Sequence, residues 1–139
     1  MKRLMLIVLG MAMLALLSAP PVQAQVDDAI ALTAQAWADL SQWPANGKRH
    51  TVDITKISGE DLRQVKKANV ALQDALAKAR AGNANARAIM KLQEAIAYGD
   101  AGMHKEQRLM AEGALAALCQ TGKGDACAKA PKFGSYVAP

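Results

Sequence analysis

Three short segments punctuate a chain made mostly of helix-forming residues. They are Ala81-Gly82-Asn83-Ala84, Tyr98-Gly99-Asp100-Ala101 and Lys123-Gly124-Asp125-Ala126. In each, a glycine that can end one helix precedes an Asn or Asp that can cap the next. Between them the sequence is rich in Ala, Leu, Gln and Lys, which lose little conformational freedom in a helix. The segments lie 17 and 25 residues apart, so they are hinges between successive helices and not a repeat of fixed period.

Periodicity fills in the elements. A first helix is expected to start after Asp27 or Asp28. It carries Ile30, Thr33, Trp37 and Leu40 on one stripe, widened by Leu32, Ala36 and Trp43. Pro44 and Asn46-Gly47 end it. Residues 48–57 alternate β-branched and polar side chains (Thr51, Val52, Ile54, Thr55, Ile57), and no second strand is visible to pair with them. They read as an extended crossing segment near 48–57.

Ser58 to Asp61 forms a capping box before a helix with Leu62, Val65, Leu72, Leu76 and Ala79 on one face, a stripe that Asn69 interrupts. Gly82 suits its left-handed end, and Asn83 caps a third helix along Ile89, Leu92 and Ile96. That helix stops at Tyr98-Gly99. Asp100 then caps a fourth, with Met103, Met110, Ala114, Ala117 and Leu118, closing at Thr121-Gly122. Asp125 caps a final turn before Pro131. The expected fold is all-α: a compact bundle of about four helices with a C-terminal disulfide-closed turn.

The chain opens on Lys2-Arg3, an uncharged run from Leu4 to Leu17, a Ser18-Ala19-Pro20-Pro21 break and Val22-Gln23-Ala24. This is the pattern of a secretory signal peptide cut after Ala24. The apolar run is shorter than the roughly 20 residues a spanning helix needs, so no stable membrane span is expected after cleavage. The reading divides the chain into a leader at 1–24, a single helical domain at 25–131 and a tail at 132–139. It predicts a periplasmic or secreted protein. Losing Lys2 and Arg3 leaves 15 basic residues against 12 acidic ones, spread along the chain, which does not point to nucleic acid.

Cys119 and Cys127 are the only cysteines, with seven residues between them that include Gly122 and Gly124. An even count in an exported chain predicts a disulfide, and the spacing is not that of a redox Cys-x-x-Cys pair. The segment Cys119-Gln-Thr-Gly-Lys-Gly-Asp-Ala-Cys127 resembles the cysteine hairpin of cysteine-rich Sel1-like repeat proteins. The resemblance covers nine of the 139 residues, and no tandem copies accompany it. It implies a bridge joining helices of stacked repeats used for protein binding.

Motifs with chemistry are scarce. His50 and His104 stand in no metal-protease pattern. Met103, His104 and Met110 are the one soft-ligand grouping, but His104 points about 100° round the helix from the methionines. The methionines are therefore expected in the core and His104 at its margin. Glu60, Glu94, Glu106 and Glu112 lie on helices, mostly beside Lys or Arg, and read as solvated surface. No catalytic residue, metal site or cofactor is assigned. Trp37 reads as core. Trp43, with Lys48, Arg49 and His50, is the expected contact patch. The sequence thus predicts an exported helical module that binds a protein or peptide partner in the envelope, as an accessory, inhibitor, immunity or adaptor factor. The rivals are an envelope hydrolase, a Sel1-like fragment and a Met/His metal-handling protein.

Overall fold

The computed structural model describes residues 21–40 and 59–128. Within them lie α1 (Val22–Asp39), α2 (Gly59–Ala81), α3 (Ala86–Asp100), α4 (His104–Leu118) and the single turn α5 (Asp125–Ala128), and no strand. The predicted crossing segment at 48–57 and the tail at 132–139 fall outside the described residues.

Contacts between helices fix the topology. The Lys67 ammonium lies 3.6 Å from Asp39, and Lys78 lies 3.4 Å from Asp28. The end of α1 therefore meets the start of α2, and the start of α1 meets the end of α2. In the same way Asn69 of α2 reaches Asp100 at the end of α3, and Asn85 before α3 reaches the Ala117 carbonyl at the end of α4. Lys123, just past α4, reaches back to Asp27 on α1. Each neighbouring pair is antiparallel, and α4 packs on α1 as well as on α3. The ring is closed, an up-and-down four-helix bundle. An open stack of repeats, in which each unit touches only its sequence neighbours, has a different geometry.

The core is unusual in its small side chains. Ala29, Ala36, Ala68, Ala75, Ala88, Ala95, Ala111 and Ala114 are fully buried, with Ile30, Leu40, Leu72, Leu92, Leu115 and Leu118 between them. Alanine stripes let backbones approach closely. They also leave little free volume, and two glycines mark where that limit is reached. A Cβ on Gly82 would lie 2.7 Å from the Val26 side chain and 3.0 Å from the Val22 carbonyl. A Cβ on Gly122 would run into the Ile30 side chain, with the Leu118 carbonyl 3.1 Å away. Both glycines seat the start of α1.

Several sequence expectations move. Helix α1 begins at Val22, not after Asp27 or Asp28. The Asp27 carboxylate accepts from the Gln23 side chain and the Lys123 backbone instead of capping. The left-handed residue ending α2 is Asn83 (φ 50°), not Gly82. Ala84 N–H donates to Ala79 O and Asn83 N–H to Arg80 O, the paired bonds of a Schellman end. The cap of α3 is Asn85, whose side-chain oxygen accepts from Ala88 N–H at 2.9 Å. Helix α3 continues through Gly99 to Asp100 and ends in a second Schellman motif, with Gly102 (φ 73°) in the left-handed position. Asp100 therefore closes α3 and does not cap α4, which starts at His104 without a side-chain cap. Helix α4 ends at Leu118, with Cys119 as its C-cap.

Cys119 and Cys127 are bridged, as the spacing predicts. The bridge ties α5 to the end of α4, and α5 packs against α1. No helix among the described residues is long and apolar enough to cross a membrane. Closing so short a loop contributes about 2.5 kcal/mol on the chain-entropy model. Reduction should accordingly lower the thermal midpoint by several degrees while the far-ultraviolet circular dichroism of the folded state stays helical. An unchanged midpoint, or loss of most helix on reduction alone, would contradict this account.

Candidate functional site

The described residues concentrate buried polar chemistry at one end of the bundle, where the start of α4 meets the ends of α3 and the middle of α2. His104 and Gln107, one helical turn apart, are both 0% exposed. His104 Nδ1 lies 3.3 Å from Gln107 Oε1. The Gln107 amide nitrogen donates to Asn69 Oδ1 at 3.3 Å, and Asn69 Nδ2 donates to Asp100 Oδ1 at 2.7 Å. Three helices are thereby joined through four side chains.

The direction of this chain of bonds follows from its last member. An ionised carboxylate only accepts, so Asn69 must turn its NH2 toward Asp100. That leaves Asn69 Oδ1 to accept from Gln107, and Gln107 Oε1 to accept from His104. The histidine therefore carries its proton on Nδ1. Gly99 makes the arrangement possible. A Cβ there would overlap the Gln107 amide nitrogen and sit 2.8 Å from Asn69 Oδ1. The space a side chain would fill holds the amide pair.

Burial pushes the His104 pKa down, and the bond to Gln107 partly offsets this. The ring is deeply buried and faces an amide. The arrangement orients helices and holds a neutral imidazole among them. It is a positioning network, and amides in its middle do not pass a proton from one end to the other.

The remaining predicted residues are distributed as follows. Trp43, Lys48, Arg49 and His50 lie outside the described residues. Trp37 is half-buried against the core. Met110 is half-buried, and its sulfur accepts from Lys91 Nζ at 3.4 Å, while Lys91 also pairs with Glu94 at 2.7 Å. His104 is thus not at the margin of the core but inside it, with its Nδ1 met by Gln107. Among the described residues no group of three or more His, Cys, Asp and Glu stands where it could hold a metal ion. The sequence reading missed the network. Its one visible sign was Asn69 interrupting an apolar stripe. Compared with protein-family models, with curated proteins and with solved structures, the chain finds no match.

Two expectations follow from the geometry. Gly99→Ala gains about 1 kcal/mol of helix propensity. It also overpacks the amide pair, at about 1–3 kcal/mol, and strands a buried amide at a similar cost. The clash wins, so urea unfolding should show clear destabilisation. Gly113→Ala is the control: its Cβ would meet only Lys91 methylenes at 3.6 and 3.9 Å, so the propensity gain should survive as stabilisation. Equal effects at the two glycines would refute the argument.

The second concerns pH. A histidine whose folded pKa lies below its unfolded value near 6.5 binds its proton first in the unfolded chain. Its contribution is complete above that value and is lost as pH falls from about 6.5 toward the folded pKa, with a slope of at most about 1.4 kcal/mol per pH unit. Urea midpoints between pH 7.5 and 5.5 should fall in the wild type and fall less in His104→Gln. A wild-type midpoint that rises on acidification would overturn the assignment.

Proposed function

We propose that this chain is exported and works in the cell envelope, periplasmic or secreted, as a small non-catalytic helical module that binds a protein or peptide partner. The apolar leader and the Cys119–Cys127 bridge support the compartment, since such bridges persist where the milieu is oxidising. The observation that carries the binding role is how the chemistry-bearing side chains are engaged. His104, Gln107 and Asn69 hold helices together, Glu94 pairs with Lys91, and Lys91 also meets the Met110 sulfur. In this reading the bundle is a rigid frame, and recognition belongs to the segment with Trp43, Lys48, Arg49 and His50. Trp supplies contact area, and the basic residues favour a partner surface carrying acid groups.

The test is affinity capture from envelope extracts with residues 25–139 as bait, beside Trp43→Ala and the double change Lys48→Glu with Arg49→Glu. A partner held by the wild type and lost by both variants, with circular dichroism unchanged, is the expected result. The charge reversals should matter most at low ionic strength. A partner captured equally by all three baits would sink the assignment of the patch. A hydrolytic activity abolished by one carboxylate change in an intact fold would sink the binding role itself.

A further inference from the structure

The bond read as the cleavage site, Ala24–Gln25, lies inside helix α1 and not in a loop before it. A protease that reads small residues first and third before the cut must take them on one side of an extended chain. In a helix, residues two apart point about 200° apart, so Val22 and Ala24 cannot enter adjacent pockets together. The Gln25 N–H is also held by the Pro21 carbonyl at 3.3 Å.

Fraying of one exposed turn would not release the site. Extending the chain across the bond also takes in Val26, which is 6% exposed. Val26 packs under both Gly82 and Gly122, where an added Cβ would lie 2.7 Å and 3.1 Å from its methyls. The next residue, Asp27, accepts from the Lys123 N–H in the loop that the disulfide closes. Opening the site therefore means lifting the start of α1 out of the bundle.

We infer that the Ala24–Gln25 bond is a processing site available only before the bundle closes, so that leader removal precedes docking of α1 and the folded, bridged precursor protects its own junction. The step is hydrolysis: water adds across the peptide bond, the carboxylate stays on Ala24 and the amine on Gln25. In the product Asp27 loses the Gln23 side chain and keeps the Lys123 N–H. Asp27 and Asp28 then stand in the first turn of α1, where acids favour the positive end of the helix. The inference rests on the export reading, and the experiment separates the two.

Full-length protein in detergent micelles is treated with purified signal peptidase in two states: folded with the bridge formed, and reduced in urea at a concentration the enzyme tolerates. Products are identified by mass. The unfolded chain should yield a fragment starting at Gln25, and the folded chain should be cut roughly tenfold more slowly or worse, because cleavage tracks the open population. Val26→Ala, which loosens the start of α1, should be cut faster than the wild type in the folded state. Equal rates for folded and unfolded protein, or a Val26→Ala rate no higher than wild type, would overturn the inference and leave the leader reading standing. Absence of the Gln25 product from the unfolded chain would overturn the leader reading and the inference with it.

Discussion

A core lined with alanine has a register problem. One alanine stripe fits another almost as well after a slip of one turn, because small side chains present few shapes to mismatch. The bond chain from His104 through Gln107 and Asn69 to Asp100 removes that degeneracy at one end of the bundle. Each member is satisfied only if α2, α3 and α4 hold one relative height, and a slipped arrangement would strand buried amides. Buried polar groups are costly when unpaired, which gives the native register its advantage over its neighbours.

The opposite end is set by a different device. Asn85 accepts from Ala88 N–H to cap α3 while its NH2 donates to the Ala117 carbonyl at 2.8 Å. The amide supplies both an acceptor and a donor there, on separate atoms; an ionised Asp could cap but has no donor for the carbonyl, and a Ser hydroxyl would have to make both bonds through one shorter-reaching oxygen. Gly82 and Gly122 then admit Val26 and Ile30 of α1, and the bridge keeps the loop carrying Gly122 in place. A buried polar network governs one end of the bundle, and the Asn85 cap with steric fit and a covalent clasp governs the other.

Much of the fold was legible in the sequence because helix periodicity is a local signal. The stripes through Ile30 and Leu40, through Val65 and Leu72, and through Ala114 and Leu118 are buried, and the bridge formed at the predicted pair. The glycines were harder to read. A glycine near a helix end can supply a left-handed φ or a place for another chain to approach, and composition does not distinguish the two. Gly82 and Gly99 serve approach, while Asn83 and Gly102 carry the left-handed turns, so the left-handed residue falls just after the glycine that suggested it. The polar network was out of reach for a related reason. Asn69 and Gln107 are 38 residues apart, and nothing local announces that they meet.

The alanine core also bears on how this protein responds to temperature. The heat-capacity change on unfolding comes chiefly from hydration of newly exposed apolar surface, and a methyl group exposes far less of it than a leucine side chain. Because alanine supplies more than half of the buried hydrophobic side chains among the described residues, the bundle has a small heat-capacity change for its length. Its free energy of unfolding curves gently with temperature. For a given maximum stability, such a curve keeps the folded state populated over a broader range of temperature.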